Sequence, residues 1–152
     1  LTNFHQCLSV ELGTGKSRTI AGIVLHLLDQ LFVGNKLLIC APSNNACNEL
    51  TRRILDEFSH QKIPYTDGIL VRVGGQPPED ENLCEHFHEF MIHKTVFQML
   101  TNEPQRKTFN TSKIAKDILE NVKIIVSTLN NCASSRLDFL KNKVDFIIID
   151  EG

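Results

Sequence analysis

The stretch VELGTGKSRTI, Val10 to Ile20, decides how this chain is read. Gly13-Thr14-Gly15-Lys16-Ser17 supplies the second half of the pattern G-x-x-x-x-G-K-[ST]. In that pattern a glycine-rich turn opens a helix and its backbone amides cradle phosphate oxygens. The first glycine of the pattern falls on Val10. Glycine takes positive φ readily, and valine is among the residues least able to do so. The loop is therefore half matched, and the rest of the chain must say whether it holds a phosphate.

Working outward, Lys16 to Phe32 repeats apolar residues at steps of three and four (Ile20, Ile23, Val24, Leu27, Leu28, Leu31), which predicts a helix ended near Gly34. Cys47, Leu50, Ile54 and Phe58 repeat the pattern, with Ser43, Asn44 or Asn45 available as N-cap. Between such segments lie short β-branched runs: Lys36 to Ala41, Gly68 to Val73, Val122 to Thr128 and Val144 to Asp150, with a weaker one at Cys7 to Val10. Continuous rather than alternating apolarity predicts strands covered on both faces, as in a parallel sheet. The alternation argues an α/β domain, a mostly parallel sheet with helices on both faces. From Gln76 to Asn121 the rhythm breaks. Pro77-Pro78 and Glu79-Asp80-Glu81 read as a loop, and two helices follow, one around Phe87, Phe90, Met91 and Phe97 and one around Ile114, Ala115, Ile118 and Leu119. Two helices where one suffices for a crossover read as a helical insertion over about 76–121.

The 152 residues suffice for one domain with a real core, and a hydrophobic content of 41% with 22% charged residues is ordinary for a globular chain. Sixteen basic against eighteen acidic residues give a formal charge of −2, without the basic excess that marks non-specific nucleic-acid binding. A local positive groove remains compatible with that balance. Cys7, Cys40, Cys47, Cys84 and Cys132 are odd in number and lack a C-x-x-C pair, so they read as free, buried thiols. No signal-like segment or membrane-length apolar run occurs, so an intracellular protein, nuclear or cytoplasmic, without a membrane partner is expected. The chain opens on Leu1 and stops at Asp150-Glu151-Gly152, which reads as a piece of something longer.

Parallel α/β sheets bind ligands at the carboxyl ends of their strands. The polar clusters sit there: GTGKS after the first strand, Pro42-Ser43-Asn44-Asn45 after the second, Ser127-Thr128 closing the fourth and Asp150-Glu151 closing the fifth. Gly13, Thr14, Gly15, Lys16, Ser17 and Arg18 form the expected nucleotide-binding set. Lys16 would reach the β- and γ-phosphates of ATP, and the Ser17 hydroxyl would take one Mg²⁺ position. Asp150, after three isoleucines, suits the second Mg²⁺ position, and Glu151 would activate the attacking water. Taken singly, GTGKS reads equally as an ordinary strand-to-helix turn, and Asp150-Glu151 as a solvated strand end. Cys84, His86, His88 and His93 form the one metal-like cluster, but at helical spacing within one stretch they cannot face one point, so surface histidines are expected rather than zinc.

With these clusters placed, the chain resembles the superfamily 1 helicases of the senataxin and nonsense-mediated-decay type. GTGKS (13–17), CAPSNNACNEL (40–50), VRVG (71–74), IIVSTLNNCA (124–133) and FIIIDEG (146–152) carry the resemblance, in family order across nearly the whole chain. It implies a RecA-like P-loop domain, the first of two motor domains, with 76–121 matching the family's inserted subdomain. It implies ATP and Mg²⁺ as ligands, Lys16 and Glu151 as catalytic residues, and contacts from Ser43, Asn44 and Thr128 to the backbone of single-stranded RNA or DNA. Short hydroxyl and amide side chains at strand ends bond phosphates without reading bases.

Three departures stand beside it. Family members read GPPGTGK where this chain has VELGTGK; the family's upstream glutamine motif has only Gln6 as a counterpart, six residues from the loop; and the second RecA-like domain with its arginine fingers lies outside this sequence. Such fingers accelerate related phosphoryl transfers by ~10³–10⁵. This polypeptide alone is therefore expected to be a poor ATPase and no helicase. Two other readings stay open: a degenerate P-loop domain serving as a binding module, which Val10 motivates, and a P-loop kinase, which leaves PSNN and STLNN unexplained.

Overall fold

The computed structural model describes residues 6–9, 15–63, 68–105, 108–132, 134, 137–140 and 142–150, the first four as backbone only. Within them, the strands are β1 (Gln6–Ser9), β2 (Leu37–Ala41), β3 (Leu70–Val73), β4 (Ile124–Thr128) and β5 (Phe146–Ile149). The helices are α1 (Lys16–Phe32), α2 (Asn44–His60), α3 (Glu81–Cys84), α4 (His88–Asn102), α5 (Thr111–Asn121) and α6 (Leu129–Cys132). The strands join in one sheet in the order β1-β5-β2-β4-β3, and every neighbouring pair is parallel. The expected α/β architecture with a parallel sheet is therefore present, and it is consistent with a RecA-like fold. The short helices α3 and α6, at four residues each, carry too little periodicity to be read in advance.

Period-two alternation divides the sheet between two cores. Leu37, Ile39, Leu70, Ile124, Val126 and Ile148 point to one face, where Ile20, Val24 and Leu31 of α1 and Leu50, Ile54 and Phe58 of α2 cover them. Val71, Val73, Ile125 and Ile147 point to the other, against Ile118 and Leu119 of α5 and Leu137 and Leu140 near the 3₁₀ turn Asp138–Leu140. Strands covered on both sides have no solvent face, which is why β4 reads as a run of buried residues from Ile124 to Thr128.

Two devices finish the sheet. At its β3 edge the backbone amide of Arg72 donates to the His86 carbonyl at 2.7 Å, so the turn before α4 shields that edge from further pairing. At its amino end Lys36, 7% exposed, aims Nζ at the C-terminus of α5. It donates to the carbonyls of Leu119 at 3.0 Å, Glu120 at 3.2 Å and, more closely, Val122. A cation there satisfies orphan carbonyls and opposes the helix dipole.

Candidate functional site

At the carboxyl edge of the sheet, Gly15 takes the left-handed conformation (φ 78°, ψ 33°) as N-cap of α1. The glycine has no side chain to cap the helix, and α1 has no acidic residue in its first turn. The N-terminus of this seventeen-residue helix thus keeps its positive end toward the strand ends. Lys16 sits in the first turn, with Nζ 3.7 Å from Oδ1 of Asp150; the two side chains are 13% and 11% exposed. Asp150 follows β5 directly and is anchored by its amide, which donates to the Cys40 carbonyl at 2.8 Å. Its Oδ1 is buried and accepts no hydrogen bond among the described residues. Asp150 is therefore no solvated strand end. Ser17 is half-buried and Arg18 exposed beside them. Val10, Gly13, Thr14 and Glu151 lie outside the described residues.

Parallel register brings the second cluster to the same edge. Ala41 of β2 is the register partner of Thr128 of β4, and Cys40 is that of Ile149 on β5. Ser43, the N-cap of α2, accepts from the Ala46 amide at 3.2 Å and leaves its own hydroxyl proton available. The cap is thus Ser43, and Asn44 and Asn45 are the first helical residues. Thr128 is buried, and its Oγ1 accepts from the Asn131 amide at 3.3 Å, starting α6. A cleft of about 990 Å³ opens between α2 and the turn before α3, lined among others by Ser43, Asn44, Asn48, Arg52 and Gln76. Arg52 reaches Asp80 on the opposite wall at 3.5 Å.

Arg72 is the residue that pattern reading passed over. Between Leu70 and Val73 it occupies the face covered by α2, and it is 1% exposed. Its Nη2 donates to Asn44 Oδ1 at 3.0 Å, its Nη1 closely to the Gly74 carbonyl, and its guanidinium lies 5.2 Å from the centroid of the Phe87 ring. Burial, the largest cause, lowers its pKa from the ordinary guanidinium value. The signal was present in VRVGG: a charge inside a strand with no solvent face must find buried partners. Gly75, at φ +75°, lets the backbone pass so close to Asn44 that any Cβ would overlap its amide.

The histidine cluster corrects one expectation. His86 and His88 are buried rather than at the surface, while His93 is exposed. The predicted single helix is broken at residues 85–87 into α3 and α4, which presses His86 and His88 inward. His88 Nε2 lies 3.0 Å from the Ala115 carbonyl on α5, so it serves helix packing. Among the described residues no three His, Cys, Asp or Glu side chains are grouped to hold a metal ion.

The family described as the AAA domain matches residues 3–110, well over half of the chain. Mouse "Probable helicase senataxin" is 40% identical over 62 residues, covering 32% of this chain and 2% of that protein, and its human counterpart is 37% identical over the same length and share. "Helicase SEN1" of Saccharomyces cerevisiae is 28% identical over 130 residues, 66% of this chain and 6% of that protein. The chain thus spans a small fraction of the curated relatives it matches. It belongs to the AAA domain family, as a segment of a senataxin-type superfamily 1 helicase motor domain.

Proposed function

We propose that this edge is the ATP site and single-strand track of a helicase's first motor domain, whose parent chain carries a second RecA-like domain. One observation carries the reading: Lys16, next to the glycine N-cap of α1, stands 3.7 Å from the buried Asp150 at the end of β5. An ammonium and a helix N-terminus together favour a polyphosphate. A buried carboxylate oxygen with no hydrogen bond suits a hard cation or a water on it. In this reading Gly13, Thr14, Gly15 and Arg18 hold the phosphates, Lys16 binds the β- and γ-oxygens, and Ser17 and Asp150 hold Mg²⁺. The metal supplies charge neutralisation on the phosphate oxygens. Glu151 takes the proton of the attacking water. Ser43, Asn44 and Thr128 hold the sugar–phosphate backbone of single-stranded RNA or DNA, in the nucleus or cytoplasm.

The test is thermal or urea unfolding with and without MgATP. Ligand at 100 times Kd adds about 2.7 kcal/mol of stability. The gain is expected in the wild-type chain and absent in Lys16→Ala. No gain in the wild type, with single-stranded nucleic acid still bound, would favour the degenerate binding module that Val10 suggests instead.

A further inference from the structure

The Sγ of Cys40, the fourth residue of β2, lies 3.1 Å from the Sγ of Cys132, the last residue of α6. The fold makes this contact by register. Cys40 pairs with Ser127 across the β2–β4 ladder, and the chain turns at Thr128 into α6. A disulfide has sulfurs about 2.05 Å apart, so roughly 1 Å of approach separates the thiols from a bond.

The two thiols are also unequally placed. Cys40 is 4% exposed, whereas Cys132 is half-buried. The neighbouring Cys40 thiol, and after it Ser127, hold the Cys132 pKa below its ordinary value. The other described thiols are poorer nucleophiles or differently engaged. Burial pushes Cys47 up to about 11, and Cys84 donates to the Pro78 carbonyl at 3.2 Å.

We propose that Cys40 and Cys132 form a reversible thiol–disulfide site that a hydroperoxide oxidises. The Cys132 sulfur attacks the peroxide; the O–O bond breaks, a hydroxide or alkoxide leaves and takes up a proton, and Cys132 becomes a sulfenic acid. The Cys40 sulfur then attacks that sulfur. The S–S bond forms, the S–O bond breaks, and water leaves with the Cys40 proton. Two electrons pass from the thiol pair to the peroxide, and a dithiol returns them. The bond ties the end of β2, which leads to Ser43, to the helix that begins after Thr128. That consequence for nucleic acid rests on the reading above; the chemistry does not.

The full chain, reduced and desalted, is treated with hydrogen peroxide, its remaining thiols are alkylated, and its peptides are weighed. The expected product joins the Cys40 and Cys132 peptides with the loss of two hydrogens, several-fold above any other pairing, Cys7 included. Dithiothreitol reverses it, and Cys132→Ser, melting like the wild type, lacks it. Recovery of both cysteines as alkylated thiols would overturn the proposal. So would Cys132 found as a sulfinic acid, or joined to a cysteine other than Cys40. If Cys132→Ser does not fold, the wild-type peptide map alone decides by the same outcomes.

Discussion

Arg72 donates from Nη2 to Oδ1 of Asn44 across 3.0 Å, tying the centre of β3 to the first turn of α2. The same guanidinium holds the Gly74 carbonyl. One buried cation therefore positions the amide that faces the cleft and the glycine pair that lets the chain pass beside it. Replacing it with methionine keeps most of the volume over Phe87 and leaves the buried Gly74 carbonyl without this donor. An unsatisfied buried acceptor costs about 1–3 kcal/mol, and Arg72→Met should lose that much in urea unfolding. Arg72→Lys should not restore it, because a point-like ammonium does not reproduce the planar fork. On the function proposed above, single-strand affinity should fall as well, while any stabilisation by MgATP should remain.

Gly75 tests the same contact from the other side. An added Cβ would overlap the Asn44 amide, and φ is +75°. Gly75→Ala should destabilise by about 1–3 kcal/mol through strain, and Asn44→Ala in the same chain should recover part of the loss. Simple additivity of the two losses would show that Asn44 has room to move aside.

Lys16 and Asp150 should be coupled before any ligand is added. Their side chains are 13% and 11% exposed, so water screens the 3.7 Å pair weakly. Lys16→Ala leaves the carboxylate without that counter-charge, and Asp150→Asn removes the need for it. A double-mutant cycle on urea unfolding should give a coupling of about 1–2 kcal/mol. A coupling near zero would mean that the pair does not hold the edge together.

Lys36 makes stability depend on alkaline pH. Burial first, then the charges of Lys123 and Lys143, lower its pKa from 10.5 to about 8. Below pH 8 both folded and unfolded chains hold the proton, so this group contributes no slope. Between about 8 and 10.5 the unfolded chain binds more protons, so stability rises with pH in that window. A rise of roughly 1–3 kcal/mol is expected, and Lys36→Met should remove it. A wild-type profile that falls or stays flat there would contradict the assignment.

Local pattern was enough for the repeating parts of this molecule. The periodicity of Ile20 to Leu31 marked α1, whose observed bounds are Lys16–Phe32, and the β-branched runs marked the five strands to within two residues at every end. Because polar clusters follow strands, the pattern also placed Gly15, Lys16, Ser43, Thr128 and Asp150 at one edge. Helix and strand periods are properties of neighbouring residues, so a one-dimensional reading recovers them.

Only the folded chain decided the partners of the buried polar groups. Nothing local says that Arg72 meets Asn44, twenty-eight positions away, or that Lys36 caps a helix more than eighty positions on. The pairing of Cys40 with Cys132 and the inward turn of His86 and His88 are of the same kind. A charge or thiol inside a sheet covered on both faces must satisfy itself with whatever the register brings alongside, and register is set by the packing of the whole sheet.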